Sequence, residues 1–133
     1  MSIRVEVSVG EFLDRLTILR IKAGRISESD KLENIRRELD ALNALWEDSS
    51  GAGDAALAPL IRELQDINET LWDIEDSIRA KEAAGEFDPE FIALARAVYI
   101  NNDKRAAIKR AINIQTGSAV MEEKSYTDYP RAD

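Results

Sequence analysis

The chain contains no cysteine and no histidine. Without cysteine there is no disulfide framework and no thiolate nucleophile, and zinc loses its commonest sulfur ligand. Without histidine the chain lacks the side chain that most often acts as general base or transition-metal ligand near neutral pH. Neither a metal nor a cofactor is therefore expected. Glycine and proline are scarce, at six and three in 133 residues, so little interrupts long regular elements. No glycine-rich loop follows a strand pattern, which excludes the phosphate-binding motifs of P-loop and dinucleotide-binding folds. No run approaches the ~18 apolar residues of a membrane span, and Ile3-Arg4-Val5-Glu6 interrupts any apolar leader. A cytoplasmic location is the expectation.

What the chain does have is charge and apolar periodicity. Hydrophobic residues make up 44% and charged residues 33%, the balance of a globular helical protein. Residues 1–133 read as one helical domain. The net charge is −8, and residues 28–90 carry 18 acids against 6 bases. An acidic middle of that kind argues against an electrostatic grip on nucleic acid.

Four helices follow from the apolar spacing. Ser8 and Glu11 form a capping-box signature, and a helix from about Val9 to Gly24 follows, with Phe12, Leu13, Leu16, Leu19 and Ile21 as its apolar face. A second helix covers about Asp30 to Asp48. Its Leu32, Ile35, Leu39, Leu42 and Trp46 repeat at alternating three and four, a heptad seam. A polar, glycine-containing loop over 47–54 leads to the third helix, expected over 58–84. There Leu57, Leu60, Leu64, Ile67, Leu71, Ile74 and Ile78 hold the same spacing. Asp88-Pro89-Glu90 starts a fourth helix that reaches about Gln115. Short connections favour antiparallel packing of the second helix on the third and the third on the fourth. The fold class is all-α: a long antiparallel helical hairpin, or an elongated bundle of about four helices. Ile3, Val5, Val7 and Val9 alternate with polar residues, so a short N-terminal strand is an added element. Such a strand must lie against helices, pair with a symmetry mate, or not form. Residues 118–133 lack helical periodicity and read as a tail whose last residues are mobile. Long heptad seams in a small chain leave apolar surface to cover, so a homodimer is expected.

Candidate chemistry concentrates on the fourth helix. Val98, Asn101, Arg105, Ile108 and Ile112 share a face, so Asn101 and Arg105 interrupt an apolar stripe. Asn102, Arg105 and Lys109 lie along an adjacent line. A cation in such a seam needs a partner, because an unpaired buried charge is costly. Asn68, Trp72, Glu75 and Arg79 follow one another on the third helix at four, three and four, and antiparallel packing brings Glu75 towards Arg105. Three readings fit: a structural salt-bridge network, an anion pocket shared with Arg15 or Lys22, or a catalytic site. The ligand-binding candidates are thus Arg15, Lys22, Asn68, Trp72, Glu75, Arg79, Asn101, Asn102, Arg105 and Lys109. No catalytic or metal-ligating residue is assigned. Glu69, Asp73, Asp76, Glu86 and Asp88 are spaced as a solvated helix face rather than a metal cluster.

Val7-Ser8-Val9-Gly10-Glu11-Phe12-Leu13-Asp14-Arg15-Leu16-Thr17-Ile18-Leu19 resembles the opening motif of an uncharacterised bacterial family of unknown function. The resemblance continues through Leu71-Trp72-Asp73-Ile74-Glu75-Asp76-Ser77-Ile78-Arg79, then Val98-Tyr99 with Asn102, Asp103 and Arg105, and ends at Glu122-Glu123-Lys124-Ser125-Tyr126. The family motif has proline where Val9 stands, a residue that fits the first helical position. The resemblance implies an association of some relatives with surface-polysaccharide or glycosyl-transfer systems.

Two functions are expected to compete. One is a helical interaction or accessory protein with a protein partner. The other is a binder of, or cofactor-independent enzyme on, an anionic small molecule held by Arg, Lys and Glu between helices. All-helical chorismate mutases give a fold-level analogy for the second.

Overall fold

The computed structural model describes residues 1–130. Four helices follow in order among the described residues: α1 (Val9–Arg25), α2 (Ser29–Glu47), α3 (Leu57–Ala84) and α4 (Pro89–Thr116). The all-α expectation holds, and the N-terminal strand does not form. Residues 1–7 take no secondary structure, because a lone strand has no second strand to bond with. The expected mobile end of the tail falls partly on 131–133, outside the described residues.

Helix boundaries follow local chemistry. Ser8 Oγ accepts a hydrogen bond from the Glu11 amide at 3.1 Å. Asp88 Oδ1 accepts one from the Phe91 amide at 2.9 Å. Pro59 sits in the first turn of α3, where its missing N–H is harmless, and a separate turn precedes it with Leu57 N donating to Asp54 O at 3.1 Å. Gly85 ends α3 in the left-handed region at φ 66°, the conformation for which glycine carries no Cβ penalty.

α3 and α4, each 28 residues, form the long hairpin, about 42 Å at 1.5 Å per residue. α1 lies across this hairpin and meets both of its arms. α2 departs from the expected arrangement: its backbone neighbours α1 alone, not α3. The loop of residues 48–56 lets α2 fold onto α1, where Phe12 and Trp46 stack with ring centres 6.3 Å apart. The core is Leu13, Leu16, Leu57, Leu64 and Ile112, with Leu39, Leu42 and Trp46 packed at its edge. Each fully buried side chain of this type contributes about 1.5–3 kcal/mol.

Gly10 permits the closest helix approach. A Cβ there would lie 2.5 Å from the Lys109 carbonyl oxygen and 2.9 Å from Asn113 Oδ1. Gly10→Ala is therefore expected to cost about 1–3 kcal/mol through forced separation of α1 and α4. Gly24 has no such neighbour within 4 Å, so Gly24→Ala is expected to be stabilising by about 0.4–1 kcal/mol. Urea denaturation of both variants checks the contrast.

Candidate functional site

One stripe of α1 is buried yet mostly not apolar. Gly10, Asp14, Thr17 and Ile21, spaced at four, three and four, are all buried. Asp14 is only 2% exposed, and three helices converge on its carboxylate. Arg105 of α4 donates from Nε to Oδ1 at 2.8 Å and from Nη2 to Oδ2, a bidentate fork. Asn68 of α3 donates from Nδ2 to Asp14 Oδ1 at 2.9 Å and to Thr17 Oγ1 at 3.0 Å. The Thr17 hydroxyl donates in turn to the Asp14 carbonyl at 2.8 Å.

A second ammonium-centred group adjoins it. Lys109, 8% exposed, places Nζ 2.7 Å from Glu11, 3.0 Å from Glu122 and 3.9 Å from Asp14. Glu11 therefore does not complete the capping box; its carboxylate goes across to α4. Two cations, Arg105 and Lys109, thus face three carboxylates. Hydrogen bonding to Asp14 raises the Arg105 pKa above its ordinary value, against the opposing effect of burial. For Lys109, burial is the largest influence and pulls its pKa down, but Glu11 and Glu122 outweigh it and the net shift is upward. Hydrogen bonding from Lys109 lowers the Glu122 pKa.

The N-terminus of α1 is saturated. Val9 N donates to Ser118 Oγ at 3.2 Å, Gly10 N to Asn113 Oδ1 at 2.6 Å and Glu11 N to Ser8 Oγ. An anion finds no open amide there. The Val9 bond also gives the valine a consequence: a proline at this position has no N–H to offer Ser118.

Of the sequence-predicted residues, Asn68, Trp72, Glu75, Asn102 and Arg105 line one cleft of about 420 Å³, together with Ile18, Leu71 and Asp76. The others lie elsewhere. Arg15 forks onto Glu38 of α2 on an exposed surface. Lys22 is half-buried and does not line the cleft. Arg79 pairs with Glu75 one turn away at 3.1 Å. Asn101 turns back along α4 and donates to the Ala97 carbonyl at 2.8 Å. Lys109 lies on the far side of Asp14, against Glu11 and the tail. The expected Glu75–Arg105 pair gives way to Asp14–Arg105, because the buried carboxylate of α1 offers both oxygens at the bundle centre.

Asp14, Thr17, Glu11, Asn113 and Glu122 escaped the sequence reading. The signal for the first two was present: a four-three-four stripe with polar members, beside the apolar face of α1. Of the acidic residues read as a solvated face, three pair with cations. Asp73 pairs with Arg25 at 2.5 Å, while Lys81 gathers Glu86, Asp88 and Glu90 at 3.1, 2.8 and 3.1 Å.

The tail runs back along α4. Glu122 reaches Lys109, Glu123 reaches Arg110 at 3.4 Å, and the Tyr129 hydroxyl donates to Asp103 at 2.5 Å. Tyr129 also meets the Tyr99 ring edge-on with centres 5.2 Å apart. A cleft of about 580 Å³ opens between this tail and α4, lined by Tyr99, Asn102, Lys124 and Tyr126 among others. The opening motif, the fourth-helix motif and the tail motif thus meet around Asp14 and Lys109.

A family model matches residues 3–131. The chain belongs to the family of unknown function DUF6165. No curated protein and no solved structure matches it. Membership of DUF6165 accounts for the length of the resemblance, and the structure supplies what the three motifs do together.

Removing Asp14 leaves Arg105 without its carboxylate in the interior. Asp14→Ala is expected to cost about 3–5 kcal/mol, whereas Arg79→Ala, at an exposed pair, costs under about 0.5 kcal/mol; denaturation curves separate the two. Glu122 gives a pH signature. Its folded pKa lies below its ordinary 4.5, so its contribution is present above that value and is lost as pH falls through the folded pKa. Wild type and Glu122→Gln should differ in stability at pH 7 and converge below the folded pKa of Glu122, checked by urea denaturation across the acid range.

Proposed function

We propose that this DUF6165 chain is a helical interaction or accessory protein that works as a homodimer and offers α2 to a protein partner. The observation that carries this reading is the incomplete cover of α2. Leu32, Ile35, Leu39, Leu42 and Trp46 form a heptad seam, yet no residue of the 19 in α2 is fully buried. Its backbone has one neighbour, α1. A seam that is half-buried at each position gains by covering itself with another chain.

The competing reading, a site for an anionic metabolite, needs cations available to the ligand. Arg105 commits two of its nitrogens to Asp14, and Lys109 is shared among carboxylates. An incoming anion would have to displace those partners in a cleft that also holds Glu75 and Asp76. The polar centre reads better as a device that fixes helix register. A cytoplasmic location belongs to the proposal. The setting in surface-polysaccharide or glycosyl-transfer systems rests on the family resemblance alone. The acidic balance speaks against a nucleic-acid partner.

Two measurements test the reading. Tagged protein purified from native cells should carry a reproducible partner, and Ala41→Arg, on an exposed residue of α2, should lose it without change in melting temperature. A thermal-shift screen with sugar phosphates, nucleotide sugars and dicarboxylates should show no stabilisation. A ligand at 100 times its dissociation constant would add about 2.7 kcal/mol, about 10 °C for a chain of this size, and that result would favour the metabolite site.

A further inference from the structure

The alternating segment of residues 3–7 is a sequence motif that stands largely outside the bundle. Ile3, Val5 and Val7 are 82%, 77% and 46% exposed. Among the described residues, the backbone of residues 1–7 makes no hydrogen bond with the rest of the chain. Arg4 and Glu6 form no ion pair there either. At its end the segment meets an apolar groove of about 210 Å³ lined by Val7, Val9, Phe12, Leu45 and Trp46 among others, and Leu45 is 63% exposed. An alternating strand pattern, unpaired backbone and a neighbouring apolar groove occur together.

We propose that residues 3–7 pair antiparallel with the same residues of a second copy, forming a two-stranded ribbon whose apolar side closes on the groove of each subunit. The inference rests on the homodimer reading above and names its interface.

The sequence selects the second copy as occupant because the segment is complementary to itself. With Val5 opposite Val5, Ile3 meets Val7 and Arg4 meets Glu6, each pair occurring twice about the two-fold axis. Opposite charges that face each other across two strands stabilise the pairing, and like charges oppose it. The nearby registers fail this condition. Sliding by one residue puts apolar side chains on the face that carries the charges. Sliding further in either direction sets Arg4 against Arg4 or Glu6 against Glu6. A parallel in-register pair also aligns like charges. The pattern therefore specifies one register with two-fold symmetry, the isologous form of a closed dimer. A bare two-stranded ribbon is marginal in water, and the groove supplies the missing cover: Val7 lines it, so Ile3 of the second copy, opposite Val7, arrives over Leu45. The edge that residues 1–7 would otherwise leave open is closed by the same pairing.

Light scattering and sedimentation of the full chain over a concentration series test this. The wild type is expected to be dimeric. Arg4→Glu alone, or Glu6→Arg alone, places like charges opposite each other at two symmetry-related points and should weaken the dimer by about tenfold or more. The double exchange R4E/E6R should restore it. Because neither side chain is paired within the bundle, circular dichroism and melting of the separated monomers should be unchanged, which removes misfolding as an explanation. A wild type monomeric at every concentration overturns both this inference and the homodimer reading. A dimer that ignores the single reversals overturns the ribbon and leaves the homodimer on another face.

Discussion

The fork between Arg105 and Asp14 ties α1 to α4 in the interior, and most of the remaining order depends on it. A buried carboxylate is tolerated only where donors replace the water it has lost. Arg105, Asn68 and the adjacent Lys109 do so from two other helices. The arrangement leaves little freedom of register: sliding α4 by one turn would withdraw the guanidinium from both carboxylate oxygens at once. Gly10 acts in the same sense. By omitting a Cβ it lets the α4 backbone close in, and Asn113 then reaches the Gly10 amide. Core leucines favour compactness without specifying which helix face meets which, and the polar centre supplies that specification.

The same interaction bears on function. Three of the candidate ligand residues, Asn68, Arg105 and Lys109, also bond across helices. The charges of Arg105 and Lys109 are balanced locally by Asp14, Glu11 and Glu122, with carboxylates in slight excess. Lys109 extends the network to Glu122 and draws the tail against α4, where Tyr129 continues the contact as far as Tyr99 and Asp103. Three sequence motifs far apart in the chain therefore share one physical task. The unused surface lies elsewhere, on the half-covered seam of α2 and on the alternating segment before α1. Both are features whose burial is incomplete in one copy of the chain.

Much of the secondary structure was legible because it is governed by neighbours in sequence. The Ser8 and Asp88 caps, Pro59 in a first turn and Gly85 at a helix end each act within a few residues. Helix boundaries accordingly fell within one or two positions of those expected, and the α3–α4 hairpin followed from a short connection between two long seams. The placement of α2 was not legible. A loop of nine residues permits return onto either α1 or α3, and the heptad pattern names a face without naming its partner.

The candidate site divides along the same line. Sequence alone determined that Asn101 and Arg105 interrupt an apolar stripe of α4, with Lys109 on an adjacent line, that a cation there requires a partner, and that Asn68, Trp72 and Glu75 share a face of α3. It also determined which chemistries lack their residues. Only the tertiary structure decided that Asp14 is the partner, that Arg15 and Lys22 stand apart, and that Glu11 crosses to Lys109 instead of closing its own cap. The reason is physical: periodicity fixes which side chains share a face, while the pairing of charges on different helices depends on which faces the packed core brings within about 3 Å.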